Sequence, residues 1–491
     1  MNTEELSTLF QSLKIPKSHA TVGLSNLIAS SKEYKSLFIH RRLPDVGWSD
    51  VQIQSFLYLL ISTLDTNNKG DENGRRWCGV GEREGRIYSS LVAHRHFGLS
   101  HGMGRSGDIT EPQPKAVGSS VLVQLTSYLT LDAMRRGAGL DARSSAAHGL
   151  LLPLCTGMSL SLVLSSLRTE GKDIVLWSRI DQKSCFKAIL TAGLKCVVVP
   201  TCLKDQQVMT DLITMKELLG RYRGRVLAVV TTTSCFAPRI PDAVDHVARL
   251  CAQEDGVAHI INHAYGLQCE KTCKLLNRAC AVGRVDAIVC SMDKNFLVPV
   301  GGAIVVSPHE KVINGIGKCY AGRASSSSIV DLFITLMSMG LGGYQQLLKD
   351  RKALLEIFTS RFREIAHKHE ETLIECPSNT ISFAITLDNL VRTKGEDEGE
   401  QEYLRSISKD ITSFGAILFS RCVSGTRVVP RAHENTIHGV KFVGFGSSND
   451  NYPHAYLTAA CAIGVTLAEV HDFFTRLDKA MEKFKKQKLE K

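Results

Sequence analysis

Apolar and polar positions change rhythm three times along the chain. Over 51–64 the apolar residues Ile53, Phe56, Leu57 and Leu60 recur near the helical period, and residues 1 to about 75 read as helical. Residues 118–136 read as a further amphipathic helix. From Leu150 short apolar runs alternate with helical ones, which predicts strands at 150–154, 174–177, 196–199, 226–231, 258–261, 285–290 and 303–306. Helices are predicted between several of them, at 211–222 and 241–253 for example. That alternation is the mark of an α/β fold with a mostly parallel seven-stranded sheet and crossover helices. After Ser325–Ser328 a long helical region runs to about Glu370, interrupted by Gly340, Gly342 and Gly343. Weaker strands follow near 381–386, 427–429 and 441–443, and an amphipathic helix closes the chain. The expected division is a helical N-terminal region with a glycine-rich loop (1–148), a large domain (149–325) and a smaller α+β domain with a basic terminal helix (326–491).

Composition narrows the class without choosing the chemistry. The 491 residues, 44% hydrophobic and 22% charged, suit a soluble globular chain of about three units at roughly 150 residues each. A net charge of +10 permits a polyanionic partner without requiring one. Fifteen cysteines scattered through apolar runs fit reduced, buried thiols of a cytosolic protein better than a disulfide framework. Cys269 and Cys273 lack zinc-site spacing and a partner pair, so no metal is expected. The acidic N-terminus lacks a signal-peptide core. The uncharged run 149–167 is broken by Pro153, Thr156, Gly157 and serines, and reads as strand, turn and helix rather than a membrane span. A soluble, cytoplasmic protein is expected.

Candidate chemistry concentrates in four places. Two glycine-rich loops, Cys78-Gly-Val-Gly-Glu-Arg-Glu-Gly-Arg86 and His101-Gly-Met-Gly-Arg-Ser-Gly-Asp108, the latter running on to Gln113-Pro114-Lys115, combine close backbone approach with cationic donors. Neither is a Walker A motif, and either alone reads equally as a surface turn. Thr156 and Gly157 open a helix after the first strand, a ready anion site for a cofactor phosphate. Lys294 follows a late strand and precedes Gly301-Gly302, where a desolvated amine can form a Schiff base; the alternative is a solvated turn lysine. Together these point to a pyridoxal phosphate enzyme. Asn262 ends the preceding strand, where many enzymes of this fold carry an aspartate for the pyridine nitrogen; an asparagine there makes a weaker electron sink. The segment 394–402 reads as an acidic, mobile loop, and the basic end of the terminal helix (Lys479, Lys483, Lys485, Lys486, Lys488) as a solvated face or an RNA contact.

At this level the chain resembles the O-phosphoseryl-tRNA(Sec) selenium transferases, the selenocysteine synthases of archaea and eukaryotes. The resemblance rests on 79–86, Gly104-Arg-Ser-Gly-Asp108 with Gln113-Pro114-Lys115, Arg179-Ile-Asp-Gln-Lys-Ser-Cys185, Thr233-Ser-Cys-Phe-Ala-Pro-Arg239, Asp293-Lys294-Asn295 and Ala321-Gly-Arg-Ala-Ser325, in order, from about Cys78 to the terminal helix. It implies a fold-type I pyridoxal 5'-phosphate enzyme, homotetrameric, that turns O-phosphoseryl-tRNA(Sec) into selenocysteinyl-tRNA(Sec) with selenophosphate. It further implies Lys294 as the Schiff-base lysine, and Arg83, Gln182 and Asn262 around the cofactor. Arg105, Ser106, Gln113 and Arg323 would hold the phosphoryl group, and Arg421 and Lys486 would contact tRNA. Ala281 departs from the family, which often has a tRNA-contacting arginine there. Two alternatives stand beside this reading: a cysteine desulfurase or selenocysteine lyase acting on a free amino acid, and a catalytically inactive tRNA-binding scaffold.

Overall fold

The computed structural model describes residues 3–67, 70, 73–391, 394, 395 and 397–489; Glu396 of the acidic segment and the Lys488 side chain lie outside the described residues. The strands of the first two-thirds are β1 (His148–Leu152), β2 (Ile174–Ser178), β3 (Lys195–Val199), a hairpin of β4 (Thr201–Lys204) and β5 (Gln207–Thr210), β6 (Val226–Thr232), β7 (Ala258–Asn262), β8 (Ala287–Ser291) and β9 (Ala303–Ser307). All but the hairpin form one seven-stranded sheet, ordered β1-β9-β8-β7-β6-β2-β3. Within it β9 runs antiparallel to both neighbours and the other pairs are parallel. Every residue of β6, β7, β8 and β9 is buried, because helices cover both faces; that is why these strands read as unbroken apolar runs. The hairpin escaped the sequence reading because Cys202, Leu203 and Lys204 are exposed and give no apolar run.

The C-terminal part holds β10 (Leu373–Ile374), β11 (Ser382–Thr386), β12 (Arg427–Val429), β13 (Asn435–Ile437), β14 (Val440–Phe442) and β15 (Tyr456–Ala460). A four-stranded antiparallel sheet has the order β10-β11-β15-β12, while β13 and β14 form a separate two-stranded sheet. The strand expected at 441–443 therefore lies in a separate hairpin, and the central β15 was not anticipated. The segment expected to be an acidic loop is corrected at its end: a helix, Glu400–Ser420, begins inside it. Ile407, Ile411, Phe414 and Leu418 are buried at helical spacing and draw the chain into that helix.

One helix, Ser327–Lys368, joins the two halves, and it breaks at Gly340 (φ 60°, ψ −178°). The break receives the N-terminal segment 44–48. Trp48 N–H donates to Met337 O (2.7 Å), while Leu341 and Gly342 N–H donate to Pro44 O (2.8 Å) and Asp45 O (2.9 Å). The backbone groups freed by the kink are thus satisfied. A Cβ on Gly340 would stand 2.6 Å from Gly47 N, so glycine is required by contact as well as by its positive φ. This helix is long and apolar enough to cross a membrane by composition, yet half of the apolar window is buried in the protein, with Leu332, Phe333, Leu336 and Met337 in the core. One continuous core runs from Leu37 through the large sheet to Tyr344, and a second gathers Leu354, Phe362, Phe414, Leu457 and Phe474.

Candidate active site

The carboxyl ends of the sheet's strands, where open α/β sheets bind ligands, collect five of the twelve candidate residues: Thr156, Gly157, Gln182, Asn262 and Lys294. Beyond β1, the helix Thr156–Ser166 opens with Thr156, whose hydroxyl is buried and has no hydrogen-bond partner among the described residues. A Cβ on Gly157 would stand 3.2 Å from Ser184 Cβ, so this glycine lets the turn lie close to the start of the next helix, Lys183–Thr191. Free first-turn N–H groups and an orphaned hydroxyl together fit a phosphate-bearing cofactor.

Gln182 precedes that next helix, and Asn262 ends β7 two strands away. A buried thiol joins them. Asn262 Nδ2 donates to Cys185 Sγ (3.1 Å), and the thiol donates to Gln182 Oε1 (3.5 Å). Behind Asn262, Thr233 Oγ1 lies 2.6 Å from His263 Nδ1, and burial holds the His263 imidazole down at about 3. His259, on the same strand, is held at about 4 for the same reason.

Lys294 is the third residue of the short helix Met292–Phe296, which follows β8. The expectation of a desolvated amine is corrected. Met292, Asn295 and Phe296 pack inward, which leaves Lys294 on the open side of the turn with its side chain 46% exposed. Its Nζ donates to Ser291 Oγ and to Asp293 Oδ2, both at 3.2 Å. Its backbone carbonyl accepts from Gln268 Nε2 (2.6 Å), and Gln268 Oε1 accepts from Ile463 N–H (2.9 Å) in the C-terminal part. Arg351, buried between the halves, donates to Gln268 O (2.7 Å) and Cys461 O (2.8 Å). Gly302 matters by contact: a Cβ there would stand 2.2 Å from Met292 Sδ.

The glycine-rich loops form a second group. Gly102 (φ +75°) lies against Ala324 O, which accepts from Met103 N–H (2.9 Å), and Gly107 N–H donates to Gly322 O (3.2 Å). The Arg323 guanidinium donates to His101 O. Arg105 pairs with Glu111 (2.8 Å) at the surface beside Ser106, and Gln113 N–H donates to Ser120 Oγ (3.0 Å). Lys115 pairs with Glu84 (2.8 Å), holds its carboxyl below the usual range, and reaches Arg83 O (3.5 Å). The structure therefore brings together the loops that carry Arg83, Arg105, Ser106, Gln113 and Arg323 as one cluster, with the Arg105 guanidinium turned to Glu111. His101 is buried near Arg323, Lys115 and Glu84, and among the described residues neither of its ring nitrogens has a partner. A cavity of about 880 Å³ lies beside the cluster, lined by Cys78, Gly79, Glu84 and Lys115. Among the described residues, no hydrogen bond or ion pair runs from this cluster to Lys294, Thr156 or Asn262.

The two candidate RNA contacts are not neighbours. Arg421 follows the helix Glu400–Ser420, and Arg476 donates to the next carbonyl, Cys422 O (3.0 Å). Phe414 and Phe484 pack at 5.4 Å, so the terminal helix Leu467–Leu489 runs antiparallel to that helix. Lys486, exposed, thus lies roughly 15 Å along the axis from the Arg421 end. Lys485 is tied to His369 O (2.8 Å) and does not face solvent freely. Ala281 is exposed near the end of the helix Glu270–Val282. Sequence reasoning missed Cys185, Gln268 and His101 as site neighbours. Ser291 and Asp293 were legible by adjacency to Lys294.

Comparison with known proteins places this geometry. Residues 64–482 match the family model described as O-phosphoseryl-tRNA(Sec) selenium transferase, SepSecS. The O-phosphoseryl-tRNA(Sec) selenium transferase of Dictyostelium discoideum is 44% identical, over 98% of this chain and 100% of the relative. The crystal structure of an archaeal O-phosphoseryl-tRNA(Sec) selenium transferase superposes with TM-score 0.82 at 29% identity, covering 95% of this chain and 98% of that one. The fold is shared more widely: Oryza sativa TDC, solved with pyridoxal phosphate and tryptamine, matches with TM-score 0.54 at 13% identity over 89% of this chain and 96% of its own. Neither the free-amino-acid enzyme nor the inactive scaffold is favoured by these matches. With a fold-type I sheet, a lysine-bearing turn after β8 and a family match across most of its length, the chain belongs to the O-phosphoseryl-tRNA(Sec) selenium transferase family.

Proposed function

We propose that this protein converts O-phosphoseryl-tRNA(Sec) to selenocysteinyl-tRNA(Sec), with pyridoxal 5'-phosphate as cofactor and selenophosphate as selenium donor. The observation that carries the reading is the placement of Lys294, with Ser291 and Asp293, at the same sheet edge as Asn262 and the phosphate-fitting start of the helix Thr156–Ser166. The same reading includes the family's homotetramer and a cytoplasmic setting, which fifteen free cysteines support.

Thr156 and Gly157 would hold the cofactor phosphate, Gln182 would flank it, Asn262 would face the ring nitrogen, and Lys294 would anchor the cofactor covalently; Arg83, which the family resemblance assigns to the cofactor, lies with the second cluster, where its carbonyl accepts from Lys115. Bound pyridoxal phosphate supplies an electron sink for negative charge developing at the substrate α-carbon. The Lys294 amine would accept the substrate α-proton at Nζ. Asp293 Oδ2 and Ser291 Oγ, each 3.2 Å from Nζ, hold the ammonium so formed. Arg105, Ser106, Gln113 and Arg323 bind the phosphoryl group and carry its charge as the bond to the β-carbon breaks. Selenium from selenophosphate would then bond to that carbon, its P–Se bond being cleaved by water with release of a second phosphate, and Lys294 Nζ would return its proton to the α-carbon. Arg421 and Lys486 hold RNA phosphates from two separate places on the C-terminal helices. The test is incubation of the purified protein with O-phosphoseryl-tRNA(Sec) and selenophosphate, followed by deacylation and identification of the amino acid. Selenocysteine is the expected product, and its absence with active cofactor present refutes the assignment.

A further inference from the structure

The hydrogen bonds around Asn262 have a single direction. Ala264 N–H donates to Asn262 Oδ1 (3.2 Å), Asn262 Nδ2 donates to Cys185 Sγ (3.1 Å), Cys185 donates to Gln182 Oε1 (3.5 Å), and Gln182 Nε2 donates to Ser234 O (3.4 Å). Both ends are backbone groups whose roles are unambiguous: Ala264 contributes an N–H and Ser234 a carbonyl. Turning the Asn262 amide over would set its NH₂ against the Ala264 N–H, two donors face to face. Turning Gln182 over would do the same at Cys185 while setting its carbonyl against Ser234 O. Burial pushes the Cys185 thiol up to about 11, so it keeps the proton that it donates. Asn262 is 2% exposed and uses one of its two amide protons on Cys185. What the locked side chain has left on its nitrogen is a donor.

We propose that Cys185 is a positioning residue: with the Ala264 amide it fixes Asn262 so that an N–H is offered to the cofactor ring nitrogen, which is therefore held unprotonated. This rests on the pyridoxal phosphate reading above. A pyridinium N–H would meet the asparagine N–H donor to donor, whereas a neutral ring nitrogen accepts from it. The consequence is a deliberately weak electron sink. It suffices here because the group lost from the β-carbon is phosphate, a good leaving group, and it withholds stabilisation from side reactions that need a long-lived carbanion.

The experiment uses full-length protein loaded with pyridoxal phosphate whose ring carries the heavy nitrogen isotope, read by nitrogen NMR, with borohydride reduction and peptide mapping on the same sample. The mapping decides whether the cofactor is on Lys294; an adduct elsewhere refutes the cofactor reading itself. With the adduct on Lys294, the ring resonance of the wild type is expected in the neutral-pyridine range, and a pyridinium resonance overturns the inference. Asn262→Asp should move it to the pyridinium range. Cys185→Ser, which keeps a donor and an acceptor, should behave as wild type. Cys185→Ala should shift the resonance toward pyridinium and weaken cofactor retention about five- to tenfold, the effect of one lost hydrogen bond. A folded Cys185→Ala protein with unchanged resonance and retention overturns the role of Cys185, and the wild-type spectrum remains decisive if that variant does not fold.

Discussion

Replacing Gln268 by alanine tests how the C-terminal part of the chain holds the lysine turn. Gln268 is 5% exposed, and its amide bridges Lys294 O (2.6 Å) and Ile463 N–H (2.9 Å). Truncation leaves two backbone groups without their partner, at about 1–3 kcal/mol each. The Lys294 end lies at the open edge of the sheet, where water can replace part of the loss, so the sum expected is about 2–4 kcal/mol. Gln268→Glu separates the two ends. Its carboxylate still accepts from Ile463 N–H but opposes the Lys294 carbonyl, one acceptor against another. Burial raises a carboxyl pKa, so lowering the pH should restore a proton and with it the Lys294 bond. The assay is amide hydrogen exchange by mass spectrometry, with cofactor retention measured in parallel. In Gln268→Ala, exchange at Ile463 should rise about 10- to 100-fold, since each 1.4 kcal/mol of lost protection is tenfold. In Gln268→Glu, Ile463 should stay protected while cofactor retention falls at neutral pH and recovers on acidification. Unchanged protection of Ile463 in Gln268→Ala would refute the bridge.

Three further outcomes are expected. Burial holds His259 at about 4 and His263 at about 3, so below an ordinary pKa of about 6.5 the unfolded chain takes up protons before the folded one does. Their contribution is therefore complete above pH ~6.5 and is lost as pH falls towards those values, at about 1.4 kcal/mol per unit for each imidazole; urea midpoints that stay level between about pH 6.5 and 4.5 would contradict this. Arg323→Ala should cripple turnover of O-phosphoseryl-tRNA(Sec) while cofactor absorbance and tRNA affinity stay near wild type, and the wild type should ignore seryl-tRNA, which lacks the phosphoryl oxygens that make charge-assisted hydrogen bonds with guanidinium, about twice as strong as neutral ones; wild-type turnover by that variant removes the clamp. Arg421→Ala and Lys486→Ala should each flatten the salt dependence of tRNA binding, and their effects should add, since the two sites lie far apart; an unchanged slope in the double variant counts against both.

The seven strands of the main sheet were legible as short apolar runs: β2, β6, β7, β8 and β9 are buried throughout, and the outer strands β1 and β3, only partly buried, keep apolar runs of their own. The break at Gly340 was also legible, although what fills it, residues 44–48, was not, for nothing local links that segment to a helix so far along the chain. The hairpin β4–β5, whose first strand is mostly exposed, and the central strand β15 were missed, since their neighbours in space rather than their own pattern make them strands. At the site, Lys294, Thr156, Gly157 and Asn262 could be named because each sits where a strand ends. Their states could not. Lys294 lies half exposed because its short helix turns three apolar or amide side chains inward, a choice made by packing. The contact of Arg323 with His101 O and of Lys115 with Arg83 O joins loops contributed by distant parts of the chain. Which face Asn262 presents is decided by a backbone amide two residues on and a thiol 77 residues away, because hydrogen-bond direction is a property of the assembled neighbours and not of the residue.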